Sequence, residues 1–226
     1  MARLDGDEAR HLTRVLRAEA GQQYEISDNH SAYLAEIVEA RGSRVVFRVV
    51  QTLRSPEPAV RITLGAALIK FDRFEWMIEK ATELGVERIL PVETTRSERG
   101  LAAAAAKRLE RWLRIARESS QQSRRLRMPE ILSPARFDRV LAEPADFRYF
   151  LDEDQAPPLW RLLPPDRTAS DRVALLAGPE GGWTDAERQA AHSAGWLAAS
   201  LAPQVLRAET ASTAAIAIVN NAWMRN

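Results

Sequence analysis

The first fifty residues alternate between hydrophobic and polar positions in short runs that turn residues separate. Tyr24–Ser27, Ala32–Val38 and Val45–Val50 contain β-branched and aromatic residues, and such runs between polar or glycine-containing turns predict β-strands. Before them, apolar residues recur at helical spacing and predict a short helix over Glu8–Arg17. The pattern as a whole predicts a small β-barrel domain over residues 1–54.

The pattern changes at Ser55–Pro58, where two prolines favour extended backbone and oppose helix, so we place the domain boundary there. From residue 58 to residue 226, strand-like runs alternate with runs of helical spacing, which predicts a parallel α/β sheet. The predicted strands are Arg61–Ile69, Ile89–Val92, Arg148–Leu151, Arg172–Ala177 and Trp196–Leu201. The predicted helices are Phe74–Leu84, Ala102–Ser120, Thr184–Ser193 and Ser212–Trp223. Residues 152–171, which hold four prolines, are predicted to be rich in loops.

Composition excludes several classes of site. The chain has 226 residues, of which 46% are hydrophobic and 28% charged, close to average globular usage. Because it contains no cysteine, thiol catalysis, iron–sulfur clusters and cysteine-ligated zinc are excluded. The three histidines lack metal-ligand spacing, so we predict no metal site. No apolar run reaches 18 residues and the charged N-terminus does not resemble a signal peptide, which predicts a cytoplasmic protein without a membrane span.

The strongest local motif is Gly178–Gly182, where the sequence Gly-Pro-Glu-Gly-Gly follows an apolar predicted strand. Glycines allow close approach of the backbone to a ligand, and ligands of open α/β sheets lie beyond the carboxyl ends of strands. Thr184 and Glu187 have the spacing of a capping box, which predicts a helix start just after this loop. A tight turn without a ligand is the alternative interpretation, because a glycine motif alone is weak evidence.

A second motif, Leu201–Ala211, runs into the last predicted helix and contains Arg207 and Glu209. A helix N-terminus offers free N–H groups and favours negative charge, so this segment is a candidate binding site. The alternative is a salt-bridged helix cap without a ligand.

Basic residues are concentrated in one part of a chain whose net charge is only +1. Between Lys107 and Arg139 there are ten Lys and Arg residues against four acidic ones. The excess indicates either a solvated helix face or a phosphate-binding surface. Arg96 and Arg99, which follow a predicted strand, are candidates for the same surface.

Four stretches together resemble the RsmE-type ribosomal RNA small subunit (16S) uracil-N3 methyltransferases of the SPOUT superfamily. They are His11–Arg17, Lys80–Val86, Gly178–Gly182 and Leu206–Ala211, with weaker agreement over Gln122–Ile131. The resemblance implies a small PUA-like β-barrel domain that helps to bind RNA. It also implies a C-terminal SPOUT-type parallel sheet with a trefoil knot, so that the fold class is α/β. A homodimer with the donor pocket at the subunit interface is implied as well.

The resemblance further implies S-adenosyl-L-methionine as methyl donor and 16S ribosomal RNA or the small ribosomal subunit as partner. The implied donor-binding residues are Leu176, Ala177, Gly178, Glu180, Gly181, Gly182, Leu201, Ala202, Val205 and Leu206. Arg207 is expected to stabilise the uracil anion as the N3 proton leaves, with Glu209 orienting Arg207 or accepting that proton. The expected phosphate contacts are Arg14, Arg17, Arg96, Arg124 and Arg125.

The sequence departs from the family pattern in places. Its N-terminus starts close to the first predicted helix, so a leading strand of the barrel is expected to be missing or shortened. Ala202 and Gln204 stand where the family usually has Gly and Arg. Two alternatives therefore stay open: a SPOUT methyltransferase that acts on another RNA, and a non-catalytic RNA-binding module with a degenerate pocket. A nucleotide hydrolase ranks last, because the glycine loop lacks the lysine of a phosphate-binding loop.

Overall fold

The computed structural model describes residues 1–54, 58–98, 100–154 and 156–224. The chain divides into two compact units, Met1–Pro56 and Glu57–Asn226. The segment Ser55–Pro58, at which the sequence places the boundary, lies mostly outside the described residues. Within the described part of the chain, no helix is both long and apolar enough to cross a membrane.

The first unit is built on four antiparallel strands in the order β1-β4-β3-β2. These strands are β1 (Ala2–Asp5), β2 (Gln23–Ser27), β3 (Ala32–Arg41) and β4 (Arg44–Leu53). Between β1 and β2, a helical turn α1 (Asp7–Arg10) continues into a π-helical turn over His11–Val15, in the region where the sequence predicts a helix.

Irregular pairing between β3 and β4 curls this sheet into a half-barrel. The register shifts between Leu34 and Ala35 and again between Ile37 and Glu39, and β-bulges bend a strand and increase its twist. Over the described residues, β1 and β2 form the two edges of the sheet. The core of the unit contains Ala9, Ala35, Ile37, Val45 and Phe47, each at most 1% exposed.

The leading strand, expected to be missing or shortened, is present in this unit as the short strand β1. β1 pairs with β4 from Ala2 opposite Phe47 to Asp5 opposite Arg44. The strand has only four residues, and Gly6 ends it with a φ of 79°. So short a run carries little periodicity, which is why the sequence pattern does not reveal it.

The second unit is built on a seven-stranded sheet in the order β11-β9-β10-β5-β6-β7, with β8 also paired to β6. All of its pairings are parallel. The strands are β5 (Arg61–Ala67), β6 (Arg88–Glu93), β7 (Glu130–Ile131), β8 (Ala135–Arg136), β9 (Phe147–Leu151), β10 (Arg172–Ala177) and β11 (Leu197–Ala199). The helices are α2 (Phe71–Glu83), α3 (Leu101–Ala106), α4 (Leu109–Gln122), α5 (Phe137–Leu141), α6 (Leu159–Leu162), α7 (Asp185–Ser193) and α8 (Ala208–Trp223).

Helices cover both faces of this sheet, as parallel sheets require. Successive residues of the central strand β10 belong to different core clusters. Val173 and Leu175 pack with residues of α2, α4 and α8, whereas Ala174 and Leu176 pack with residues of α5 and α7. All four side chains are fully buried, which explains why β10 reads as a continuous apolar run.

The predicted helix Ala102–Ser120 is wrong as a single element, because the structure has two helices, α3 and α4, that break at Lys107 and Arg108. The break accompanies tertiary packing. Trp112 is fully buried with its ring centroid 4.8 Å from that of Phe74, and the guanidinium of Arg108 lies 4.3 Å from the ring centroid of Phe71. The alanine run is itself helical and forms most of α3, and the helix ends just after it, where Arg108 and Trp112 pack against α2.

The last helix begins four residues earlier than the predicted start at Ser212. Arg207 is the N-cap residue of α8, with a φ of −65° and a ψ of 150°. Glu209 therefore lies in the first turn of α8. The region 152–171 is mostly irregular, as predicted, but it also contains the short helix α6.

Candidate active site

The carboxyl ends of three neighbouring strands surround a cavity of about 310 Å³. Leu151 ends β9 and is followed by Asp152 and Glu153, the glycine loop Gly178–Gly182 follows β10, and Ala199 ends β11 and leads into the segment up to Ala208. Because parallel strands place their carboxyl ends at one edge of the sheet, three segments far apart in sequence meet here. We call this space the donor cavity, after the methyl donor that the family resemblance predicts for it. Arg73 of α2 and Ala211 of α8 complete its wall.

The glycine loop is held in shape by a buried tryptophan. Trp183 is fully buried, donates from its indole N–H to the carbonyl of Leu151 at 2.8 Å and stacks on Phe150. A Cβ on Gly178 would lie only 2.9 Å from the Trp183 ring. Gly182 has a φ of 68°, a conformation that favours glycine. Both glycines are thus required by the backbone path beside the donor cavity.

One carboxylate, that of Glu187, connects this loop to a neighbouring one. Its Oε2 accepts hydrogen bonds from the backbone N–H and the hydroxyl of Thr184, at 2.9 and 2.8 Å, which confirms the predicted capping box. Its Oε1 accepts from the backbone N–H of Thr95 at 2.8 Å. Burial raises the pKa of Glu187, but the hydrogen bonds outweigh burial and hold that pKa below its ordinary value.

A second cluster of charges fixes the segment after β9. The guanidinium of Arg188 donates to both carboxylate oxygens of Asp152, at 2.8 and 3.1 Å, and pairs with Asp154 at 2.9 Å. The hydrogen bonds to Asp152 raise the pKa of Arg188 further above its ordinary range. Asp152 and Glu153 also line the cavity, and neither was predicted from the sequence. The signal that could have identified them is that they directly follow β9, a strand that pairs with β10.

Arg73 is a further cavity residue that sequence reasoning missed. It lies in the first turn of α2 and forms an ion pair with Glu180 of the glycine loop. Both side chains line the donor cavity. The two residues are 107 positions apart in sequence, so no local pattern indicates that they meet.

The donor cavity brings together most of the residues predicted to bind the methyl donor. Those that line it are Gly178, Glu180, Gly182, Leu201, Ala202, Val205 and Leu206. Leu176 and Ala177 lie beneath it in β10 and are at most 1% exposed. Gly181 is turned toward Arg96, whose guanidinium donates to its carbonyl at 2.7 Å. Ala202 and Gln204, the two departures from the family pattern, both lie on the wall.

The two predicted catalytic residues are placed differently. Arg207 is exposed and lines the donor cavity. Glu209 is only 8% exposed, and its Oε2 has no hydrogen-bond partner among the described residues. Among the described side chains no hydrogen bond or ion pair joins Arg207 to Glu209, so the interpretation of a salt-bridged cap does not describe this helix start.

The predicted RNA contacts fall into two groups. Arg14, Arg17, Arg96 and Arg124 are exposed, whereas the side chain of Arg125 forms hydrogen bonds within the protein. The guanidinium of Arg125 donates to the carbonyls of Thr82 and Val86 at 2.7 and 3.0 Å, near the end of α2, and burial lowers its pKa to about 10. The prediction that Arg125 contacts phosphate is therefore replaced by a structural role. Arg99 lies outside the described residues.

The part of the chain that the structure describes contains no group of three or more His, Asp or Glu side chains arranged to hold a metal ion.

Comparison with protein families gives matches to both units. A family model described as an RNA methyltransferase domain matches residues 55–220. A second, described as an RNA methyltransferase PUA domain, matches residues 4–50.

Individual proteins are similar over almost the whole chain. The ribosomal RNA small subunit methyltransferase E of Synechocystis sp. is 32% identical over 93% of this chain and 69% of its own length. That of Bacillus subtilis is 28% identical over 96% of this chain and 88% of its own. Among solved structures, the Neisseria gonorrhoeae ribosomal RNA small subunit methyltransferase E bound to S-adenosyl methionine is 30% identical. It superposes with a TM-score of 0.87 over 98% of this chain and 92% of that one.

Proposed function

Because the chain belongs to the family of RNA methyltransferases with an N-terminal PUA domain, we propose that it methylates N3 of a uridine in 16S ribosomal RNA with S-adenosyl-L-methionine as donor. The observation that carries this proposal is the donor cavity itself. Its wall includes residues of two of the four stretches that carry the family resemblance, Gly178–Gly182 and Leu206–Ala211, and Arg207 is one of them.

The residues of the donor cavity fit such a donor. A volume of about 310 Å³ is at the lower end of the usual range for small-molecule sites. The apolar side chains of Leu201, Val205 and Leu206 suit an adenine ring, and the backbone of Gly178 and Gly182 allows close approach. S-adenosylmethionine would supply an electrophilic sulfonium methyl group to this site.

Arg207 is the residue best placed to act on the acceptor base. The N3 proton of uracil must leave during methylation, and a cation near O2 or O4 stabilises the negative charge that develops. Arg207 is exposed on the cavity wall and, within the described residues, has no acidic partner. Its guanidinium is thus available to the base.

Glu209 would orient Arg207 or accept the proton from N3. Its Oε2 is buried and has no hydrogen-bond partner in the part of the chain that the structure describes. A buried acceptor without a partner is costly, so this oxygen is suited to receive a donor when the substrate binds.

Replacing Arg207 separates catalysis from donor binding. We expect Arg207→Ala to lower kcat by about 10²–10³-fold, the usual effect of removing one donor to a developing oxyanion, while the Kd for S-adenosylmethionine measured by calorimetry is unchanged. Arg61→Ala is the matched control, since Arg61 is exposed at the opposite, amino end of β5. Equal losses in kcat and in donor affinity would refute the assigned role.

Titration of the unaltered protein with S-adenosylmethionine, followed by an RNA methylation assay, also distinguishes the proposed function from the two alternatives. Saturable binding near one donor per chain, followed by methylation of small-subunit RNA at N3 of a uridine, supports the proposal. Methylation of a different RNA or atom would favour another SPOUT methyltransferase. A protein that binds RNA but shows no donor binding would be the non-catalytic module.

Arg14, Arg17, Arg96 and Arg124 are proposed to contact RNA phosphates, because all four are exposed cations. Each phosphate contact to single-stranded RNA contributes about −0.7 to the slope of the logarithm of the binding constant against the logarithm of the salt concentration. We expect the combined change of Arg14, Arg17 and Arg124 to Ala to flatten that slope by about 2. Arg96 is kept, because it also holds Gly181, and Arg61→Ala should leave the slope unchanged. An unaltered slope in the triple variant would exclude these contacts.

We further propose that the protein is a cytoplasmic homodimer whose C-terminal segment forms a trefoil knot. The family resemblance supports the knot.

A further inference from the structure

The proposed function gives no role to the ion pair between Arg73 and Glu180. Arg73 is held by α2, whose neighbouring residues Phe74 and Met77 are at most 1% exposed. Glu180 is held by the glycine loop, which packs on Trp183 at Gly178. Both ends of the pair are therefore anchored on ordered parts of the fold, and both side chains line the donor cavity.

The pair is available to a ligand. The side chains of Arg73 and Glu180 are 31% and 39% exposed, and ion pairs exposed to this extent contribute little to stability. A guanidinium has five N–H donors, and the contact with Glu180 leaves others free. A ligand that places a carboxylate beside Arg73 and a cation beside Glu180 can thus add hydrogen bonds at little cost in free energy.

The charges on the cavity wall favour a zwitterion at this point over a phosphate. The wall carries three carboxylates, those of Asp152, Glu153 and Glu180, and only that of Asp152 is fully engaged by Arg188. Acidic groups repel the phosphates of RNA, which are better matched by Arg207, a cation without an acidic partner among the described residues. A ligand end with one negative and one positive charge complements Arg73 and Glu180 together.

We infer that Arg73 and Glu180 together bind the amino-acid end of the methyl donor, Arg73 receiving its α-carboxylate and Glu180 its α-ammonium. This inference rests on the proposed function, because it assumes that the cavity binds S-adenosylmethionine. It assigns Arg73 as a donor-binding residue and gives Glu180 a specific partner within the ligand.

The test compares two ligands that differ in the amino-acid end. S-adenosylhomocysteine carries that end, whereas 5′-methylthioadenosine has the same adenosine and sulfur without it. By calorimetry, we expect Arg73→Ala to weaken S-adenosylhomocysteine binding about tenfold or more, as loss of a charge-assisted hydrogen bond does, and to leave methylthioadenosine binding unchanged. Glu180→Gln should weaken the same ligand selectively, while Arg114→Ala, an exposed change on α4, should affect neither ligand.

A charge swap separates recognition from structure. The double variant Arg73→Glu, Glu180→Arg keeps an ion pair but reverses its polarity, while the adenosine fixes the direction of the ligand. We expect the swap to restore any thermal stability lost in Arg73→Ala without restoring affinity for S-adenosylhomocysteine. If the swap restores both, the pair is only structural and the inference is wrong.

The remaining outcomes also decide the matter. If Arg73→Ala weakens both ligands equally, the residue only shapes the cavity. If it changes neither affinity but raises the KM for RNA, Arg73 contacts RNA phosphate. Either result overturns the inference and leaves the proposed function intact. If the unaltered protein binds neither ligand, the proposed function fails, and the inference fails with it.

Discussion

At the scale of single residues, the carboxylate of Glu187 shows how one side chain can organise a site it does not touch. It caps α7 through Thr184 and holds the backbone of Thr95 in the loop after β6. The next residue in that loop, Arg96, reaches the carbonyl of Gly181. A chain of three contacts thus connects a helix cap to the glycine loop of the donor cavity, and the ionised form of Glu187 accepts the hydrogen bonds that begin it.

The lowered pKa of Glu187 makes stability depend on pH. Its stabilising contribution is fully present above the carboxyl pKa of the unfolded chain, about 4.3, and is lost as pH falls through the lower pKa of the folded protein. In chemical unfolding at pH 7, we expect Glu187→Gln to lower the free energy of unfolding by about 1.5–3 kcal/mol, as for hydrogen bonds to a charged group. The difference from the unaltered protein should shrink as pH falls below about 4.

Glu118→Gln provides the control for that measurement, because it removes one negative charge from an exposed position on α4. A pH-independent difference for Glu187→Gln, or an equal effect of Glu118→Gln, would mean that the hydrogen bonds of Glu187 do not depend on its ionisation.

At the scale of elements, the sequence predicts what local patterns determine. β10 is predicted with the bounds that the structure has, Arg172–Ala177, because a buried parallel strand is a continuous apolar run that ends at Gly178-Pro179. The break between α3 and α4 is not predictable in this way. It depends on the burial of Trp112 against α2, and that contact links positions 38 residues apart.

The residues of the candidate site differ in the same way, since some are recognisable from local sequence and others only from the structure. The glycine loop and the segment before α8 are recognisable from their own residues, and both line the donor cavity. Arg73 reaches the cavity only because the fold brings α2 to a loop 107 residues later. The structural role of Arg125 is equally hidden, since its carbonyl partners lie about forty residues earlier in the chain. Roles that depend on such distant contacts need the three-dimensional structure.

At the scale of the whole molecule, the proposed homodimer requires a surface on which a second copy can pack. The helix α8 lines the donor cavity with Ala211, and farther along it lines an apolar groove with Ala217, Ile218 and Ala222. Trp160, which is 62% exposed, borders this groove. Exposed tryptophans are frequent anchors of protein interfaces, so a second copy seated here would pack on the same helix that completes the donor cavity.

A charged side chain placed in this groove should separate the dimer. Ala217 is exposed, so Ala217→Arg leaves the core of the monomer intact but buries an unpaired cation in a dimer, which is strongly unfavourable. By light scattering, we expect the unaltered protein to have twice the chain mass of 25.3 kDa and the variant to have the mass of one chain. Leu113→Arg, at another exposed position on α4, should remain a dimer. If Ala217→Arg keeps the full mass, the groove is not the interface. If it yields a monomer that still binds S-adenosylmethionine with unchanged Kd, the donor cavity is complete within one chain.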